Sequence, residues 1–305
     1  MPADGVLLLA FGGPTRAEEI RPFLANVLRG RPVPPERVEE VVRHYEAIGG
    51  RSPLNDLTFR QAHKLEATLA ATGPALRVYV GMRHWEPYLA DTLARMAGDG
   101  VRHAVGVILS PHASEASRER YMEEVEAARA GLGARAPEVR WVGSWHTHPR
   151  FVTAVADAVT AALVTLPGER RAAAPLVFTA HSVPVAMAER SPYVAEIRAS
   201  ARAVAEQLGR TRWQVAYQSR SGSPHEPWLE PDVNDALRAL AADGARDVVV
   251  VPVGFVCDHV EVLYDLDVAA RATARAAGLG FARASAVNDH PFFIQMLAEV
   301  VAAAA

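Results

Sequence analysis

The chain has 305 residues, half of them hydrophobic and 22% charged, with a formal net charge of −3. That length and balance suit a globular protein with a large core, as one big domain or two ordinary ones, and exclude a strongly basic nucleic-acid binder. The single cysteine, Cys257, excludes an intrachain disulfide framework, a four-cysteine zinc site and a cysteine-ligated iron–sulfur cluster.

The first apolar run, "GVLLLAF" from Gly5, reads as a strand. It lacks the basic flank of a signal peptide, and no apolar run in the chain is long enough to span a bilayer as a helix, so a cytoplasmic protein with no transmembrane segment is expected. "LRGRPVPPERV" places Arg29 and Arg31 in a loop where guanidinium groups can grip carboxylates; a solvated helix end fits the same letters. "HYEAIGGRSPLND" brings Tyr45, a Gly-Gly turn and Ser52 together as a candidate substrate wall. The runs "LRVYVGM", "AVGVILS", "VRWVGSW", "PLVFTA", "QVAYQS" and "DVVVVPVGFV" follow. They are continuous and β-branched, as strands covered on both faces are. Helical patterns that end in glycine lie between them, such as "YLADTLARMAGDG" and "EIRASARAVAEQLG". Strands alternating with helices predict parallel βαβ sheets.

The pattern repeats. "VGMRHWEPYLADTLARMAGDGVRHAVGVILSPH" matches the stretch from Ala216 to Val256, each with a strand, Glu-Pro-aromatic-Leu, a helix, an Asp-Gly turn and a strand. "LLLAFGGP" and "LVFTAHSVP" match likewise. The predicted fold is therefore α/β, with two Rossmann-like halves of parallel sheet, residues 1–155 and 156–290. A final helix over 291–305 is expected to pack back on the first half. Ligands of such sheets sit beyond the strands' carboxyl ends, so a cleft between the halves is expected.

No P-loop, strand-linked G-x-G-x-x-G, G-x-S-x-G or H-E-x-x-H occurs. The strand ends carry His84, His112 and His181 instead, and "VGFVCDHVEVLYDLD" adds Asp258, Glu261 and Asp265. If that stretch is helical from Asp258, these carboxylates share one face at i, i+3 and i+7. Exchangeable oxygen ligands suit a divalent cation in passage; an acidic cap on a helix N-terminus is the alternative. His181 by itself is open between a base and a core imidazole satisfied by a carbonyl.

Taken together, "AHSVP", "VGFVCDHVEVLYDLD", "YEAIGGRSPL", "YQSRSGSPHEPWLEPDV", "RHWEP" and "SPHAS" resemble the ferrochelatases, enzymes that insert iron(II) into a porphyrin. The resemblance spans essentially the whole chain and is nearest to the cluster-free Gram-positive type, which acts on coproporphyrin III. It implies a duplicated chelatase-like fold and the formation of coproheme in heme biosynthesis, with a downstream coproheme decarboxylase as a possible partner. It implies no organic cofactor and no iron–sulfur cluster; iron(II) is a substrate. His181 and Glu261 fall on the catalytic positions, and His181, Glu261, Asp265 and His84 on the metal side. Phe11, Arg29, Arg31, Tyr45, Ser52 and Tyr121 form the expected porphyrin-binding set. Phe11 stands where relatives often carry tyrosine, and Ala269 where the acidic ladder usually continues. His181, neutral near pH 7, is expected to take pyrrole protons. A protoporphyrin IX ferrochelatase, a sirohydrochlorin chelatase and a non-catalytic tetrapyrrole or metal carrier are the alternatives.

Overall fold

The computed structural model describes residues 1–29, 33–222 and 225–305. The chain divides into two compact units: Met1–Ser110, Glu115–Ser144 and Asp289–Ala305 form the first, and Pro111–Ser114 with Trp145–Asn288 the second.

In the first unit, β1 (Gly5–Ala10) is buried along its whole length, as its unbroken apolar run requires. Helices α1 (Ile20–Val27), α2 (Pro35–Ala47) and α3 (Leu54–Thr72) follow, then β2 (Arg77–Met82), α4 (Leu89–Gly98), β3 (His103–Ile108), α5 (Arg120–Leu132) and β4 (Glu138–Trp141). The strands form a parallel sheet in the order β2-β1-β3-β4.

The second unit begins with α6 (Pro149–Val164), which starts at a proline, as suits a first helical turn, with His148 accepting the Arg150 amide. It continues with β5 (Leu176–His181), α7 (Val185–Glu189), α8 (Tyr193–Gln207), β6 (Trp213–Gln218), α9 (Val233–Ala242), β7 (Asp247–Val251), the single turn α10 (Val260–Val262), α11 (Arg271–Ala276) and β8 (Gly280–Arg283). A π-helical stretch, Leu263–Ala270, joins α10 to α11. The parallel order β6-β5-β7-β8 repeats that of the first unit. Strand β8 escapes the sequence reading because it is four residues long, begins with glycine and ends with arginine, and has only one fully buried residue. The last helix, α12 (Pro291–Ala304), belongs to the first unit and packs on α3. Among the described residues no helix is long and apolar enough to cross a membrane.

The internal repeat is real, but its register differs from the one the sequence suggests. Met82 N donates to Pro87 O, and Tyr217 N donates to Pro231 O, at 2.8 Å each. Both prolines follow a cis Glu–Pro bond. Glu86–Pro87 therefore corresponds to Glu230–Pro231, not to Glu226–Pro227. Local likeness around "EPWL" misleads because the second copy makes a longer excursion after its strand. With Met82 matched to Tyr217, the pairings Ala10↔Met82 and Ala180↔Tyr217 make Phe11 the structural counterpart of His181.

Gly254 ties the exit of β7 to β5 immediately before His181. Its N–H donates to Thr179 O at 3.0 Å, and an added Cβ would lie 2.6 Å from Ala180 Cβ and 2.7 Å from Ala180 Cα. Because the obstacle is strand backbone, Gly254→Ala is expected to cost about 1–3 kcal/mol. Thermal unfolding should show this as a fall in Tm of several degrees; an unchanged Tm would mean that β5 yields freely.

Candidate active site

The site in the second unit gathers at the carboxyl ends of three neighbouring strands. Strand β5 delivers His181, and β6 delivers Gln218, the register partner of His181, followed by Ser219. After β7 the chain turns through residues 252–259 into α10 and the π-helical stretch. Val262, Leu266 and Ala270, four residues apart, are fully buried in the core that packs on β5 and β7. Glu261, Asp265 and Ala269 each precede one of them by one position, so burying the apolar row lines them up in a second row. An α-helix repeats every 3.6 residues, so a row at intervals of four drifts round its axis; the wider π turn offsets that drift, and such turns are frequent at functional sites.

His181 Nε2 lies 3.5 Å from Glu261 Oε1, with the two side chains 29% and 39% exposed. The other ring nitrogen, Nδ1, donates to the Ser182 carbonyl, and Tyr193 Oη donates to the His181 carbonyl at 2.9 Å. Gln218 Nε2 donates to the Glu261 carbonyl, and Ser219 Oγ donates to the Asp265 carboxyl group. Ser219 takes φ +63°, a left-handed conformation uncommon outside glycine. His259 caps α10, its Nδ1 accepting the Glu261 amide at 3.3 Å.

Burial disfavours charge on His181, but the Glu261 carboxylate, the Ser182 carbonyl and Asp265 outweigh it and hold its pKa up at about 9. Burial raises Glu261 too, yet His181 and then His259 bring it down to about 2. The resting pair is an imidazolium facing a carboxylate. This corrects the neutral His181 expected from sequence, because the carboxylate that the fold places beside it is eighty positions away in the chain. Asp265 goes the other way: burial, with the Glu261 charge adding and the Ser219 hydroxyl opposing, pushes it up to about 7. Burial keeps His259 below its ordinary value.

Asp258 is not on the acidic row. Helix α10 begins only at Val260, and Asp258 is turned to Arg283, at 2.9 Å. Sequence reasoning also missed the holding roles of Gln218, Ser219 and Tyr193; only the placement of the first two after a strand end was a signal. Among the described residues, no group of three or more His, Cys, Asp or Glu side chains is arranged to hold a metal ion.

The other expected site residues lie in the first unit. Phe11 is 41% exposed and lies against His84, ring centroids 4.4 Å apart and planes tilted by 51°. Tyr45 is buried edge-on to Phe23. Ser52, also buried, lies so close to Gly13 that a Cβ there would come within 3.0 Å of its own. Arg29 donates to Asn26 Oδ1 at 3.3 Å. Tyr121 is in the core, under the Arg83 guanidinium. The placement of Tyr45, Ser52 and Tyr121 is thus inside the unit's packing, while Phe11 and Arg29 reach solvent. Arg31 lies outside the described residues.

A family model described as Ferrochelatase matches residues 3–305. The chain is 44% identical over 304 residues to a "Coproporphyrin III ferrochelatase" of Mycolicibacterium smegmatis, covering 99% of this chain and 89% of that protein. It is 42% identical over 301 residues to a "Ferrochelatase" of Rhodopirellula baltica, covering 98% and 86%. Among solved structures, the sirohydrochlorin chelatase SirB from Bacillus subtilis subspecies spizizenii, in complex with cobalt, aligns over 98% of this chain and 94% of that one. Its TM-score is 0.56 and its identity 12%. CbiX, the terminal enzyme for biosynthesis of siroheme in denitrifying bacteria, aligns over 99% of each chain with a TM-score of 0.56 and 17% identity. These two likenesses show the fold alone: a duplicated, chelatase-type α/β architecture.

The charged pair sets a measurable titration. Followed by NMR of the imidazole, His181 is expected to titrate near pH 9, and in Glu261→Gln to fall well below that value, because burial is then opposed only by the Ser182 carbonyl and Asp265. The sign for stability follows: His181 adds to it below about pH 6.5, and the contribution is lost as pH rises through about 9. An unmoved His181 titration in Glu261→Gln would refute the pairing.

Proposed function

This chain belongs to the ferrochelatase family, and we propose that the porphyrin into which it inserts iron(II) is coproporphyrin III, giving coproheme for heme biosynthesis in the cytoplasm. The observation that carries the choice of porphyrin is the near-full-length similarity to mycobacterial proteins named for that substrate. A decarboxylase that takes up the coproheme is the partner this reading implies. No organic cofactor is called for, since insertion exchanges two pyrrole protons for one cation without a change of oxidation state.

The residues divide that exchange between them. His181 is the proposed base for the pyrrole protons, and Glu261 with Asp265 the oxygen ligands that receive iron(II) and strip its water. Because Glu261 holds a proton on His181 at rest, His181 must give that proton up before it can take another. Iron(II) arriving at Glu261 withdraws the negative charge that keeps His181 protonated. Metal delivery thereby arms the base. Asp265, poised at about 7, accepts or releases a proton at neutral pH and provides an outward step. In the first unit, Phe11 and Arg29 are proposed as porphyrin contacts, an aromatic face and a carboxylate-binding cation, and His84 as an imidazole on the metal side. Tyr45, Ser52 and Tyr121 contribute by holding the frame around them.

Anaerobic absorbance with iron(II) and either coproporphyrin III or protoporphyrin IX tests this reading. Many turnovers and a clear preference in kcat/KM for coproporphyrin III are expected. Preference for protoporphyrin IX would overturn the substrate, and a single stoichiometric change would favour a carrier. His181→Ala should keep its affinity for the porphyrin and lose about 10²–10⁴-fold in insertion rate, the span for removal of a general base; near-normal insertion would end the assignment.

A further inference from the structure

Beyond the residues that face the reaction, one part-buried cation in the second unit has a placement the proposed chemistry does not use. Arg283 ends the edge strand β8, and its side chain is 13% exposed. Its guanidinium Nε lies 2.9 Å from both carboxylate oxygens of Asp267. Nη2 lies 2.8 Å from Asp267 Oδ2, and Nη1 2.9 Å from Asp258 Oδ1. The two aspartates are not arbitrary partners. Asp258 precedes the segment that carries Glu261 and Asp265, and Asp267 follows it. One planar fork therefore closes a loop around the acidic row.

Both anchor points are reinforced. Asp258 Oδ2 accepts from Asn288 Nδ2 at 2.9 Å, and the Asp258 amide donates to Asn288 Oδ1, also at 2.9 Å. Asp267 Oδ1 accepts from Arg271 at 3.0 Å. By contrast, pairs such as Arg238–Asp235 are solvent-exposed and close three-residue steps on a single helix, where little energy or geometry is at stake. The strap also bears on the helix type. In a π-helical stretch the residues of each turn are displaced round the axis relative to an α-helix. Tightening Leu263–Ala270 into α-helix would rotate Asp267 relative to Asp258, and the guanidinium could no longer meet both. Held in π form, the stretch keeps Asp265 directly after Glu261 on the row.

We infer that Arg283 is a positioning residue for iron(II) handling, its guanidinium bracketing the Glu261–Asp265 segment through Asp258 and Asp267. The inference rests on the proposed role of those two carboxylates as receivers of iron(II). Arg283 touches neither of them and acts through the backbone that it fixes. A lysine would keep the charge but lacks the planar fork that spans two carboxylates.

The test uses the full-length protein with iron(II) and coproporphyrin III under anaerobic conditions, comparing the wild type with Arg283→Lys and Asp267→Asn. Circular dichroism confirms folding, and porphyrin fluorescence gives the porphyrin Kd. Both variants are expected to fold and bind porphyrin as the wild type does, while the KM for iron(II) rises about 10–100-fold, the cost of losing outer support at a metal site. Arg283→Met should show the larger effect; should it fail to fold, the two milder variants still decide. An unchanged iron(II) KM in either folded variant, or a loss shared equally by iron and porphyrin, overturns the inference and makes the strap merely structural. Failure of the wild type itself to turn over iron is a separate result, which removes the iron reading on which the inference stands.

Discussion

The second unit depends on one juxtaposition, the imidazole of His181 against the carboxylate of Glu261. Neither group is comfortable alone at that place. A partly buried imidazolium without a counter-charge loses its proton, and a partly buried carboxylate without a cation is pushed toward its neutral form. Together they persist as an ion pair. The sheet order makes the meeting possible: β5 lies between β6 and β7. The chain leaving β7 crosses the carboxyl end of β5 to be held by Gln218 and Ser219 at the end of β6. Arg283, at the end of β8, secures the same segment from the other side. The acidic row is thus stretched across the whole strand-end edge, with His181 beside it.

Burial and charge divide the labour along that row. Val262 and Leu266 sink into the hydrophobic core, which fixes the rotation of the segment. Glu261 and Asp265 follow by geometry. Their proton affinities then separate because their surroundings differ: Glu261 faces the His181 imidazolium at close range, whereas burial dominates at Asp265, with the Ser219 hydroxyl opposing it and the negative charge of Glu261 adding to it. Two carboxylates one turn apart are therefore ionised and half-protonated at neutral pH. Separations of this kind are how a single site can bind a cation and pass a proton.

Much of this was legible in the sequence. The unbroken apolar runs mark the strands, their alternation with helices predicts parallel sheets, and the ends of β5 and β7 point to His181, Glu261 and Asp265. What escaped the sequence was set by long-range contacts. The register of the repeat was hidden because "EPWL" and "LEPDV" lie side by side, and only the strand pairing shows which Glu-Pro is equivalent. The charge on His181 depends on a residue brought in by the fold. Asp258 reads as one more acid of the row until helix α10 is seen to begin after it. Tyr45, Ser52 and Tyr121 are motif residues whose burial no local pattern reveals.

The end of the row shows what a missing carboxylate does. Ala269 occupies the next place after Glu261 and Asp265, so the row carries two acids and then an alanine. A third carboxylate there would face Asp265 from one turn further on, and like charges disfavour ionisation. Asp265, already pushed up to about 7, would rise further. An alanine at 269 thus leaves Asp265 balanced between its two forms, and leaves Glu261, 3.5 Å from the His181 ring, as the fixed negative charge of the row. The short ladder thus places its one fixed negative charge at the position nearest His181.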